Sequence, residues 1–135
     1  MTTAYLPEVQ TAGISSVRLW TGRVMTTVVV LFLAMDTVIH MLRPAFAVTA
    51  TVKLGYPAAM LLPLAIIEAI SLILYLIPRT AALGALIWTG YLGGAVATHV
   101  RAGGPFMNVL MPVFVAILLW GGLALRDRRI FSLFK

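Results

Sequence analysis

Cysteine is missing from this chain of 135 residues. That excludes disulfides, thiolate metal sites, iron–sulfur ligation, covalent c-type haem attachment and thiol–disulfide redox chemistry within it. Acidic residues are scarce too, with four Asp and Glu in all. Charged residues make up 10% of the sequence, against about a quarter in a soluble domain. What fills the space is apolar: 61% of residues are hydrophobic and the mean hydropathy is +1.04. This is the composition of an integral membrane protein. Two of the few acids, Asp36 and Glu68, nevertheless fall inside apolar runs, where a charge costs at least about 2.5–3.5 kcal/mol and is expected to face a partner or a cavity.

The apolar runs predict an all-α fold, an integral membrane four-helix bundle with spans at about 22–42, 58–77, 81–100 and 106–125. Each is long enough to cross ~30 Å of hydrocarbon at ~1.5 Å per residue. The first lacks the short apolar core and small-residue cleavage site of a secretory signal, so it is read as a retained helix. Residues 1–21 form an N-terminal arm and 126–135 a basic tail. Pro78-Arg79-Thr80 and Arg101-Ala-Gly-Gly-Pro105 read as tight turns between antiparallel neighbours. The longer loop 43–57 has room for a surface helix or re-entrant segment that would cap the bundle.

An even number of spans puts both termini on one face. That face holds Arg18, Arg23, Arg79, Arg126, Arg128, Arg129 and Lys135, and the opposite one Arg43, Lys53 and Arg101. The bias predicts cytoplasmic termini. The net charge of +6 is then a topology signal facing anionic headgroups, with the lipid bilayer as partner and no nucleic acid.

Placed by depth, the polar groups gather in the outer half. Asp36 and His40 stand four residues apart on the first helix, hence on one face. Glu68 lies ~15 Å in from the outer end of the second span. His99 closes the third, followed by Arg101. Asp36, His40, Glu68 and His99 are the candidate catalytic residues of one outward-opening cavity, with Arg101 and Lys53 near its mouth. The competing structural readings are a protonated Glu68 bonded to a Tyr or Ser, interfacial His40 and His99, and Arg101 as an interface anchor. Tyr91, Arg101 and Tyr75 are candidate cofactor-binding residues; Tyr56 and Trp88 join Tyr75 and Tyr91 as aromatic residues that would line such a pocket or belong to the core.

Small residues crowd the third span. Gly90 and Gly94 form a small-xxx-small pair, which serves helix packing or a homodimer contact. Gly121 and Gly122 have the same use in the fourth span, beside an interfacial Trp120.

The stretch Gly90-Tyr-Leu-Gly-Gly-Ala-Val-Ala-Thr-His-Val-Arg101 with its Gly-Pro turn resembles the signature of the DoxX-like family of small four-helix bacterial membrane proteins. Lys53-Leu-Gly-Tyr-Pro57, Glu68, Pro78-Arg79, Gly84-Ala85, Trp120 and Leu125-Arg-Asp127 are similar to it too, over about residues 25–130. The resemblance implies a four-helix membrane bundle. Its better-studied relatives are subunits of quinone-linked oxidoreductases, including thiosulfate:quinone oxidoreductase, and of a mycobacterial membrane complex of redox defence. A soluble or membrane oxidoreductase partner is implied with it.

Two functions fit these residues. One is a redox or quinone-associated membrane subunit with no intrinsic cofactor. A quinone site wants an apolar slot with a donor and a proton acceptor at its carbonyls, which His and carboxylate groups supply. Asp36 would hold His40, and Glu68 would relay protons. Electrons must come from another chain, for this one has no flavin or iron–sulfur motif. The alternative is a cofactor-free binding protein, or an isomerase- or hydrolase-type enzyme for a small lipophilic molecule, with Glu68 as acid or base. Metal or haem is not assigned: two His and two carboxylates suffice in number, but no Glu-x-x-His of the di-iron bundles is present. A transporter is disfavoured, since no inverted repeat or pair of broken helices is evident.

Overall fold

The computed structural model describes residues 15–134; the arm's first fourteen residues and Lys135 lie outside the described part. Among the described residues the protein is all helical. Its helices are α1 (Ser16–Leu42), α2 (Ala45–Lys53), α3 (Leu61–Leu76, led in by a 3₁₀ turn Ala58–Met60), α4 (Ala81–Ala102) and α5 (Phe106–Arg126), followed by a 3₁₀ segment Arg128–Phe134. Four of these elements are long and apolar enough to cross a membrane: α1, α3 with its lead-in, α4 and α5.

The boundaries have local causes. Ser15 caps α1, its hydroxyl accepting from the Arg18 N–H at 3.2 Å. Helix α1 therefore starts six residues before the predicted span and takes in Arg18 and Arg23. These arginines do not mark its end, because a long side chain can run along the helix and keep its head at the interface; the Arg18 guanidinium donates to the Ala124 carbonyl at 3.2 Å. At the other end Arg43 takes a left-handed φ of 49°, and Pro44 cannot continue the helix. Helix α2 occupies the long loop 43–57. Gly103, at φ 63°, closes α4 with its N–H on the His99 and Val100 carbonyls.

Burial is inverted relative to a soluble bundle. Large apolar side chains such as Leu31 (67% exposed) and Phe114 (57%) cover the outside, which is the surface a lipid bilayer contacts. The packed interior is built from Val29, Leu33, Tyr75, Trp88, Val115, Leu119 and Leu123, most of them towards the end of the bundle where α1 begins and α5 stops. Glycines set this end. A Cβ on Gly22 would fall 2.9 Å from the Leu125 Cβ, and one on Gly122 2.7 Å from the Thr26 hydroxyl, so α1 and α5 meet there almost backbone to backbone. Gly84 plays the same part between α4 and α3, where a Cβ would stand 2.7 Å from the Ser71 carbonyl oxygen. Tyr75 then donates to the Leu119 carbonyl at 2.8 Å, and the Trp120 indole to the Thr89 hydroxyl at 2.8 Å.

Gly90 and Gly94 do none of this. A Cβ on either would meet nothing within 4 Å. They serve no close contact among the described residues, and the helices around them stand apart.

Candidate functional site

Where the helices stand apart, at the end carrying α2, lies a cavity of about 560 Å³. Its size falls within the ~300–1,000 Å³ of small-molecule pockets. Phe32, Leu64, Leu92, Met111 and Val115 give it apolar walls, Gly90 and Gly94 line one side, and Thr51, Leu54 and Tyr56 from the α2 loop line it as well.

One polar pole of this cavity rests on α1 and α3. Asp36 and His40 project from α1 one turn apart, and both line the cavity. Behind them Glu68 of α3 is 0% exposed. Its Oε1 lies 2.7 Å from His40 Nδ1, a short, charge-assisted distance. The other carboxyl oxygen, Oε2, is buried with no hydrogen-bond partner among the described residues, with the Tyr91 side chain close to the carboxyl. Asp36 closes the group: a ligand atom from each of Asp36, His40 and Glu68 lies within 4.8 Å of the other two. Tyr91 of α4 lines the same cavity and packs edge-on against Trp88 with ring centroids 5.3 Å apart. His40 is two residues from the end of α1 while Glu68 is the eighth residue of α3. The end of α1 therefore packs against the middle of α3.

The second pole belongs to α4 and α5. Thr98, His99 and Asn108 line the cavity, and His99 Nδ1 is buried without a hydrogen-bond partner. Pro112, in the wall of the cavity, has no N–H to offer the Asn108 carbonyl one turn earlier. The Tyr56 hydroxyl and Thr98 hydroxyl are 2.9 Å apart. Arg101 fixes the mouth, donating to the Leu54 carbonyl at 2.8 Å and lying over the Tyr56 ring at 5.8 Å.

Asp36, His40 and Glu68 are thus brought into one group, and His99 and Tyr91 share their cavity. Arg101 holds the α2 loop at the rim. Lys53 is exposed at the end of α2. Tyr75 is not brought to the cavity: its hydroxyl is committed to Leu119, and its ring lies under the Arg126 guanidinium at 5.3 Å, at the opposite end of the bundle. Trp88 belongs to the core, while Tyr56 and Tyr91 do line the cavity. Asn108, Thr98 and Thr51 escaped the sequence reading. Uncharged polar residues near helix ends are too common to single out, and only the Asn108-x-x-x-Pro112 spacing pointed to an unusual backbone there.

The sequence model of the DoxX-like family matches residues 24–122, a stretch that includes Asp36, His40, Glu68, Tyr91, His99 and Asn108. No curated protein and no solved structure matches the chain. The chain belongs to the DoxX-like family.

Proposed function

Taking the chain as the DoxX-like membrane protein it is, we propose that its cavity binds a quinone and that it serves as a redox-associated membrane subunit. The observation that carries this reading is the His40–Glu68 pair, 2.7 Å apart, on the wall of an otherwise apolar cavity of about 560 Å³. The fit is one of shape and polarity. A quinone head is a flat apolar ring with an acceptor oxygen on opposite edges, and the cavity has apolar walls with one polar pole at Asp36, His40 and Tyr91 and another at Thr98, His99 and Asn108.

A bound quinone would supply two-electron, two-proton redox chemistry. The chain's own residues would handle the protons. His40, on the cavity wall, donates or accepts at a ligand oxygen. Glu68 behind it takes the proton at Oε1 or returns it, and Asp36 holds His40 by opposite charge. Phe32, Leu64, Leu92 and Val115 exclude water from the ring. Electrons come from a partner chain, soluble or membrane-bound. By the bias of Lys and Arg the termini lie in the cytoplasm and the cavity opens to the outside; that the membrane is a bacterial inner membrane is what the family resemblance implies.

The test is a titration of the purified chain in nanodiscs with a short-tailed benzoquinone and naphthoquinone, read by quenching of tryptophan fluorescence. Saturable binding of one quinone per chain, weakened at least tenfold by His40→Ala, is expected. Absence of saturable binding to the wild-type chain overturns the reading.

The orphaned Oε2 of Glu68 favours a second reading. A carboxyl oxygen with no partner, in a dry site, is also what a cofactor-free acid or base acting on a small lipophilic molecule needs. Native mass spectrometry of the chain as purified separates the two: a retained non-quinone lipophile lost in Glu68→Gln supports the second.

A further inference from the structure

We infer that Asp36, His40 and Glu68 form a binding site for one divalent first-row transition-metal ion. This goes beyond the quinone reading and does not rest on it. The first ground is geometric. A ligand atom from each residue lies within 4.8 Å of those of the other two. The His40–Glu68 separation of 2.7 Å is close to the ~3 Å between neighbouring ligands bonded at ~2.1 Å. Rotation of the Asp36 side chain would bring in the third. Two ligands one helical turn apart plus a carboxylate from elsewhere is a general way of building a metal site on helices.

The second ground is charge. With neutral imidazole and both carboxyls ionised the group would carry two negative charges inside the membrane span, and among the described residues the lining of the cavity includes no Lys or Arg; Arg101 is committed to the Leu54 carbonyl. Asp36 accepts no hydrogen bond from the described residues. Glu68 is 0% exposed with Oε2 unpartnered, an arrangement that an uncompensated carboxylate does not tolerate. A dication brings the sum to zero. In the metal-free chain a proton sits between His40 Nδ1 and Glu68 Oε1; the ion displaces it to solvent, leaving neutral imidazole as ligand. The cavity side of the ion stays open for water or a ligand oxygen, as in metal sites that act on a substrate.

The donor set narrows the ion. One imidazole and two carboxylates, with no thiolate in the chain, suit Mn²⁺, Fe²⁺, Co²⁺ or Zn²⁺ rather than Cu⁺. They are too few oxygens for Ca²⁺. Spacing along the sequence hides this site, because its third ligand comes from another helix.

The full chain in nanodiscs, stripped with a chelator, is titrated with Co²⁺ and followed by visible absorption, with Zn²⁺ and Mn²⁺ counted by elemental analysis. One ion per chain is expected, with uptake releasing protons to an unbuffered medium. Asp36→Asn and His40→Gln should each weaken binding about a hundredfold, while His99→Gln keeps one ion per chain. Thermal melting of the stripped variants checks that they fold; where one does not, the wild-type stoichiometry and proton release decide. Less than a tenth of an ion per wild-type chain, or wild-type affinity retained in Asp36→Asn and His40→Gln, overturns the inference. A parallel quinone titration of the stripped wild-type chain separates the two claims: quinone binding without metal binding leaves the proposed function standing and removes the metal, and the converse does the opposite.

Discussion

Replacing His40 by Ala is the sharpest perturbation of this fold, because it removes the short hydrogen bond, 2.7 Å long, of the fully buried Glu68 carboxyl. Two magnitudes compete. An interhelical hydrogen bond inside a membrane contributes on average only about 0.6 kcal/mol and at most about 1.7 kcal/mol. Removing one member of a buried ion pair costs about 3–5 kcal/mol, because the remaining charge is left uncompensated. Glu68 is 0% exposed and its Oε2 already has no hydrogen bond among the described residues, so after His40→Ala neither carboxyl oxygen keeps a short hydrogen bond and the Tyr91 side chain remains as a polar neighbour. The larger figure should dominate, moderated by protonation of the carboxyl. About 2–4 kcal/mol of destabilisation is expected. Shape contributes little to this, since the His40 side chain is 21% exposed at the cavity wall.

Glu68→Gln separates charge from packing. The amide has the same shape and can still bond His40 Nδ1, so it should cost about 1 kcal/mol or less. With no carboxylate to strand, His40→Ala added to Glu68→Gln should cost about 1–2 kcal/mol less than the sum of the two single changes. The assay is reversible unfolding in mixed micelles, the three variants forming a double-mutant cycle with the wild type. If His40→Ala alone costs no more than an ordinary membrane hydrogen bond, or if the cycle shows strict additivity, Glu68 is not the stranded charge described here.

Gly94→Phe should fill the open space beside that residue and weaken quinone binding at least tenfold in the fluorescence titration, with thermal melting unchanged; unaltered affinity would show that the Gly90–Gly94 side is not part of the binding volume. Gly84→Val should destabilise by about 1–3 kcal/mol or prevent folding, because its Cβ would stand 2.7 Å from the Ser71 carbonyl oxygen and from the Tyr75 Cα; a normal unfolding midpoint would contradict this packing. Tyr75→Phe should lose about 0.6–1.7 kcal/mol for its bond to Leu119 yet leave ligand affinity within about twofold. Because the chain has no cysteine, single substitutions report topology without background: in intact cells a membrane-impermeant maleimide should label Lys53→Cys and not Arg129→Cys, and the reverse pattern would invert the proposed orientation.

The spans were legible because each apolar run is bounded by Pro, Gly or basic clusters, and backbone groups in a membrane must be satisfied within a helix. The start of α1 was not, since Arg18 and Arg23 read as a boundary while their long side chains can be carried on a helix. Asp36 with His40 was legible from the four-residue spacing alone. Their meeting with Glu68 was an expectation that spacing could not supply. It depends on the register between α1 and α3, set by where Arg43 and Pro44 stop α1. Tyr75 needed no register to place: it lies on α3 two turns beyond Glu68, near the end of its span and so at the packed end. Thr98 and Asn108 carry no charge, and nothing in their spacing shows that α4 and α5 would turn them to a common space.

The distribution of glycine along the helices accounts for why one end of the bundle is packed and the other hollow. Gly22, Gly84 and Gly122 all lie towards the end where α1 begins and α5 stops, and a Cβ on each would fall 2.9 Å or less from an atom of the neighbouring helix. Gly90 and Gly94, further along α4, meet nothing. With the helices pinned at one end, the α2 end can spread without loss of the interior that holds Tyr75, Leu119 and Leu123. The polar groups sit where the spread occurs, so the packed end bears the cost of keeping Glu68 in a membrane. A small-residue pair on a transmembrane helix is usually read as a contact. On α4 it marks the place where a contact has been left out, and Gly94→Phe tests whether a ligand uses that space.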